Sequence, residues 1–497
     1  MNDIRPPAAA LDAGAFRNPA LLRAQGYIGG AWCDADGGAT MDVVNPADGA
    51  HLARVPHMGA AETRRAIEAA HAAQIGWREL LAKERAAILR RWHDLMLENQ
   101  EDLALLMTLE QGKPLAESRG EIGYAASFLE WFAEEAKRVY GETIPQHQAD
   151  KRLLVLKQPV GVCVAITPWN FPSAMITRKA GPAMAAGCAV VVKPAPQTPL
   201  SALALCELAR QAGVPDGVFN VVTGDEREIG AEMTSNPLVR HLSFTGSTEI
   251  GRLLMRQCAD SIIKVSLELG GNAPFIVFDD ADIDAAVAGA ILSKYRNGGQ
   301  TCVCSNRIYV QSGVYDAFAE KMTEAVAKMR VGDGREDGVA QGPLIDQAAV
   351  AKVEEHIADA LRHGAKVALG GGRHELGGGY FQPTILTGAT AQMKVAREET
   401  FGPLAPLFRF DDEAAVIEMA NATEFGLASY FYSRDLARAW RVAEALDYGM
   451  VGINTGILST AEAPFGGVKQ SGIGREGSRH GIAEYLEMKY LCVGGLD

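Results

Sequence analysis

The chain lacks the cysteine patterns that would make sulfur structural. Its eight cysteines, at 33, 163, 188, 206, 258, 302, 304 and 492, show none of the dense, regular spacing of a disulfide framework. Neither C-x-x-C nor H-E-x-x-H occurs, so no metal is expected. There is no long Lys/Arg run and the formal net charge is -13. That excludes the clustered basic face that nucleic acid requires, and an anionic small molecule would need a locally placed arginine. The longest apolar stretch, Ala183 to Val192, is about half of a bilayer span, so no membrane partner is expected. The opening MNDIRPPAAALDAGAF carries a proline pair and acids where a secretory peptide has an apolar centre. It reads as a frayed terminus, and the protein as cytoplasmic. Solenoid repeats, low-complexity tracts and the G-x-G-x-x-G dinucleotide fingerprint are missing as well.

What is present is a well-packed composition: 497 residues, 48% of them hydrophobic and 22% charged, with 53 glycines. This length implies two or three domains of α/β type. From residue 60 to residue 112 the apolar period is helical, with Ile88, Trp92 and Leu95 on one stripe and Gly112 and Pro114 closing the run. From residue 153 short β-rich runs alternate with helical segments: GVCVAI, AVVVKP, GVFNVVTG, VRHLSFTG and then NAPFIVF. A second series follows Asp279, with NRIYVQ, QPTILTG, LAPLFRF, LASYFYS and MVGINTG. The pattern predicts two doubly wound α/β halves of parallel strands, joined near residues 270 to 280. Ligands in such sheets lie beyond the carboxyl ends of the strands.

Several strand-end segments carry chemistry. SIIK, Ser261 to Lys264, matches S-x-x-K but lacks the companion motifs of acyl-serine enzymes, and reads as structural. FTGSTEIG, Phe244 to Gly251, ends a β-run and opens a helix, which suits either a phosphate on the helix N-terminus or an ordinary turn. LELGGNAP puts Glu268 at a strand end before Gly270 and Gly271, as a general base with mobile backbone or as a surface acid beside a turn. In NGGQTC the Cys302 thiol follows Gly298 and Gly299, which let backbone approach a ligand; its two readings are nucleophile and buried packing. ITPWNFP pins Asn170 between Pro168 and Pro172, where its amide serves an oxyanion or caps the next helix.

These segments occur in order together with KPAPQTP, EETFGP and PFGGVKQSGIGRE. The set resembles the aldehyde dehydrogenase superfamily from about residue 25 to the end. WNFPSAMITRKAGPA, SKYRNGGQTCVCSN and GMVGINTGILST are most similar to its succinate-semialdehyde dehydrogenases. The resemblance implies an aldehyde dehydrogenase-like fold: a Rossmann-like cofactor domain and a catalytic domain, both doubly wound α/β, plus a small β oligomerisation arm. It implies a helical lead-in and first part of the cofactor domain over 1–140, oligomerisation strands at 141–160 and 483–497, the NAD(P)-binding domain over 161–272, and the catalytic domain over 273–482. Two or four identical chains would assemble through the arm, as a homodimer or homotetramer.

The same resemblance assigns roles. Cys302 would attack the aldehyde carbon, Asn170 and the Cys302 N–H would hold the oxyanion, and Glu268 would activate the water that hydrolyses the thioester. Lys193 and Glu399 would meet ribose hydroxyls, Phe401 the nicotinamide ribose, and Gly246 and Ser247 the pyrophosphate, with Trp169 and Leu269 along the cofactor path. Pro196 stands where NAD-preferring relatives carry glutamate and NADP-preferring ones a small hydroxyl residue. It permits NADP or NAD, with the balance toward NADP. Arg178, Arg296 and Ser459 match the family's carboxylate clamp, so the implied partner is a small semialdehyde with a distal carboxylate, succinate semialdehyde first and glutarate semialdehyde second. A catalytically silent relative needs neither Cys302 nor Glu268, and an acylating enzyme does not need the water activator. Cys304 either packs beneath the loop or forms a strained, reducible disulfide with Cys302.

Overall fold

The computed structural model describes residues 13–496. The expected frayed terminus lies outside the described residues up to position 12. Beyond it Ala13–Ala15 form a short 3-10 turn, and the Phe16 ring is buried against the first core.

Two large sheets organise the chain. The first has eight strands, in the order Gly472–Ile473, Lys264–Glu268, Val239–Thr245, Val162–Ile166, Ala189–Lys193, Phe219–Val221, Gly26–Ile28 and Ala31–Cys33. Its five central strands run parallel, and the additions at both edges are antiparallel. The crossover helices include Ala174–Ala186, Pro199–Ala212, Glu226–Ser235 and Thr248–Ala259. Strand Ala189–Lys193 is buried on both faces, as parallel strands covered by helices must be.

The second sheet has seven strands: Lys366–Leu369, Thr384–Ala389, Leu404–Phe410, Ser305–Gln311, Ala273–Val277, Ala428–Tyr432 and Met450–Ile453. All its pairs are parallel except the first. The run NAPFIVF, which by pattern continues the first series, opens this second sheet as Ala273–Val277. Fully buried apolar strands look alike in sequence whichever sheet they join. The chain also returns to the first sheet late: Gly472 and Ile473 pair with Glu268 and Leu267. A single span from 273 to 482 therefore does not describe this crossing. The return brings Ser471 to the backbone beside Glu268, where its carbonyl accepts the Leu269 N–H at 2.9 Å.

A third, antiparallel sheet of Leu486–Val493, Arg152–Pro159 and Glu142–Ile144 uses strands from both expected arm segments. Among the described residues no helix is long and apolar enough to cross a membrane.

Candidate active site

The nucleophile loop starts from a tight turn. Asn297, Gly298 and Gly299 take φ values of 52°, 61° and 76° in succession, a left-handed run that glycine adopts without penalty. A Cβ on Gly299 would meet the Gly402 carbonyl oxygen at 2.2 Å, so that position tolerates only glycine. Gly270 and Gly271 do not have positive φ, and a Cβ at 271 would lie 2.4 Å from the Cys302 carbonyl oxygen. Gly271 therefore admits close approach of the cysteine loop.

Asn170 is tied to that loop on both sides. Its Nδ2 donates to the Gln300 carbonyl at 3.0 Å, while its own carbonyl accepts from Lys113 Nζ at 2.6 Å and Asn297 Nδ2 at 3.0 Å. Lys113 also pairs with Glu121 at 2.6 Å, and the other Glu121 oxygen accepts the N–H groups of Ser173 and Ala174. One Asn170 amide hydrogen is left free. The Cys302 backbone N–H has no acceptor among the described residues.

Glu268 ends its strand with both carboxylate oxygens buried and unbonded. Burial, and then nearby Glu476, hold its carboxyl well above the usual range against the pull of Arg178. Glu476 is a site residue that sequence reading missed. It accepts from Arg178 Nε and from Lys179 Nζ, the latter at 2.5 Å, and both cations lie on the fully buried helix Ala174–Ala186. Burial would raise the Glu476 carboxyl, but these two cations outweigh it and hold it low. Burial pushes the Cys302 thiol up to about 12, opposed chiefly by Arg178.

Two cavities meet at Cys302, with Phe171 and Met175 also common to both. The first, of about 370 Å³, is lined by Trp169, Asn170, Gly246, Ser247, Glu268, Leu269, Glu399 and Phe401 among others. Trp169 and Phe401 meet edge-on at 5.6 Å, and Phe401 has a left-handed backbone, φ 57°. Ser247 caps the helix Thr248–Ala259, whose N-terminus faces this space. Glu399 accepts the Gly271 N–H at 3.1 Å, and burial raises its carboxyl to about 7. An aromatic wall, a helix N-terminus and a buried carboxylate suit a nicotinamide, a pyrophosphate and ribose hydroxyls respectively. Lys193 and Pro196 do not line this cavity.

The second cavity, of about 300 Å³, is lined by Lys113, Tyr124, Arg178, Arg296, Ser459 and Phe465 with others. Arg178 lies over the Phe465 ring at 4.1 Å and Arg296 over Phe171 at 5.5 Å. The Tyr124 hydroxyl is buried without a bonding partner. Cys304 borders neither cavity; its thiol is buried and donates to the Lys294 carbonyl at 3.4 Å.

Cys302 stands where two cavities meet on paired doubly wound sheets, one fit for a dinucleotide and one lined by arginines. The chain belongs to the aldehyde dehydrogenase family, whose sequence model matches residues 32–491. It is 69% identical over 481 residues to a glutarate-semialdehyde dehydrogenase of Pseudomonas aeruginosa, covering 97% of this chain and 100% of that protein. It is 70% identical over 474 residues to the succinate-semialdehyde dehydrogenase [NADP(+)] of Escherichia coli, covering 95% and 98%. A crystal structure of succinate-semialdehyde dehydrogenase from Burkholderia pseudomallei superposes with a TM-score of 0.96 at 66% identity, over 97% of this chain and 100% of that one.

Proposed function

We propose that the protein oxidises succinate semialdehyde to succinate with NAD(P), and takes glutarate semialdehyde as its second substrate. The observation that carries this reading is the second cavity: two guanidiniums and the Ser459 hydroxyl line a pocket that ends at Cys302. Arginine pairs bind carboxylates through forked hydrogen bonds, so a substrate anchored by its acid presents its aldehyde to the thiol.

In this mechanism the Cys302 thiol releases its proton to solvent and its sulfur bonds to the aldehyde carbon, whose oxygen becomes the oxyanion. The free Asn170 hydrogen and the Cys302 N–H receive the oxyanion, an interaction worth about 3 kcal/mol in the transition state. A nicotinamide held in the first cavity would supply the hydride acceptor by which the cysteine adduct becomes a thioester. Glu268, whose proton affinity burial raises, takes a proton from water as that water attacks the thioester carbon. The C–S bond breaks, and the acid and the thiol result. Glu399 and the Gly246–Ser247 helix entrance hold the cofactor, and two or four chains assemble through the three-stranded sheet.

The test is a matrix of succinate semialdehyde, glutarate semialdehyde and a neutral aldehyde of equal length, each with NAD and NADP, followed by reduced nicotinamide absorbance. The expected order of kcat/KM is succinate semialdehyde, then glutarate semialdehyde, then the neutral aldehyde by a margin of about a hundredfold. Equal turnover of the neutral aldehyde would overturn the clamp, and no turnover of any would overturn the reading.

A further inference from the structure

Lys193 closes the strand Ala189–Lys193, the second of the parallel series, next to Val162–Ile166. In doubly wound dinucleotide folds the side chain at the end of the second strand reads the 2′ position of the adenosine ribose. Here that side chain is a cation already answered. Lys193 is buried, and its Nζ meets Glu226 Oε1 at 3.2 Å. Glu226 opens the helix that follows Phe219–Val221, with its side chain 64% exposed at the same carboxyl edge of the sheet. Asp225, the residue before it, is spent as the cap of that helix, accepting the Arg227 and Glu228 N–H groups. Pro196, in the loop after Lys193, has neither a hydroxyl nor an N–H to offer.

We propose that Glu226 is a cofactor-selectivity residue: by holding the Lys193 ammonium it withholds the one buried cation that a ribose 2′-phosphate would need. This rests on the dehydrogenase reading above. A 2′-hydroxyl shares a lysine with a carboxylate at little cost, because it is neutral and both accepts and donates. A 2′-phosphate brings like charge against Glu226 and must displace it. The pair shifts the chain toward NAD, against the balance that Pro196 alone gives. Glu226 is itself exposed, so its replacement opens no cavity in the core.

The experiment measures dissociation constants for NAD and NADP by tryptophan fluorescence, and kcat/KM for each with succinate semialdehyde, in wild type, Glu226→Gln, Glu226→Ala and Arg227→Ala. Both Glu226 variants are expected to raise the NADP-to-NAD ratio about tenfold in binding and in kcat/KM, through NADP alone. The neutral isostere carries most of the gain, because the effect is charge. An unchanged ratio in an enzyme that binds both dinucleotides would sink the role of Glu226 and leave the dehydrogenase reading standing. So would a gain confined to the alanine variant, or tight NADP binding in wild type that is lost in Arg227→Ala. Wild type that binds neither dinucleotide would take both down.

Discussion

At the scale of single residues the site is a set of proton affinities pushed together by burial. The Cys302 thiol, raised to about 12, is protonated at neutral pH in the cofactor-free enzyme, and Glu268 beside it is held well above an ordinary carboxylate. The reactive form is the thiolate, whose fraction grows as pH rises toward the thiol pKa. Alkylation of the free enzyme by iodoacetamide should therefore accelerate about tenfold per unit from roughly pH 7 to 9.5, without a plateau. A plateau near neutrality would show a thiolate stabilised far more than Arg178 and Arg296 provide. Which residues were legible follows from the same chemistry. Asn170 and Glu268 stand in short proline- and glycine-marked segments at strand ends, and Cys302 follows a glycine pair before the strand Ser305–Gln311, so their motifs point to them. Glu476 closes the segment PFGGVKQSGIGRE, but nothing in that segment gives it a role, and only its burial against Arg178 and Lys179 reveals one. Tyr124 stands on the helix Leu115–Glu135, beyond the helical stretch read from the sequence, and only the structure shows its hydroxyl unbonded in the second cavity. Cys304 is buried, with its thiol donating to the Lys294 carbonyl.

At the scale of elements, precision in the oxyanion site comes from helices that never touch the reacting atoms. Lys113 follows the helix Gln100–Gln111, and Glu121 stands on Leu115–Glu135. Their buried pair clamps the carbonyl of Asn170 and the first N–H groups beyond the ITPWNFP loop. Lys113→Met should lower the stability by about 3 kcal/mol, because it strands a buried carboxylate. It should also cut kcat by at least about tenfold with little change in KM, because a displaced amide loses the transition state rather than the substrate. Lys113→Met/Glu121→Gln separates the two effects: the melting temperature recovers and kcat does not. Recovery of both together would reduce Lys113 to a structural role. Four of the five central strands of the first sheet and all five of the second series were legible from their β-rich runs, and the three-residue edge strands Gly26–Ile28 and Ala31–Cys33 were not. Lys366–Leu369 was not, being a short and largely exposed antiparallel edge after a helix. Nor was the return of Gly472–Ile473 to the first sheet, because two residues carry no period.

At the scale of the whole molecule, one sheet remains without a cover. In the antiparallel arm the register sets Met488, Tyr490 and Cys492 opposite Lys157, Val155 and Leu153, with Ile144 beyond on the outer strand. Side chains alternate along a strand, so these residues share one face. Met488 is 75% exposed, Tyr490 57% and Ile144 41%. A face that exposes Met488, Tyr490 and Ile144 beside Lys157 and Glu142, on a three-stranded sheet with an open edge, favours pairing with a like surface. A self-complementary face gives closed two-fold contacts, hence dimers, and dimers of dimers where a second surface joins. Tyr490→Asp together with Met488→Asp places two charges in that contact and leaves the arm's backbone ladder intact. Sedimentation should show the wild-type assembly of two or four chains falling to a smaller species, while Cys302 alkylation in the dissociated chain proceeds at its wild-type rate, since both cavities are lined by one chain. An unchanged sedimentation coefficient would mean that another surface holds the assembly. Slowed alkylation in the smaller species would mean that the arm steadies the catalytic halves through the neighbouring chain.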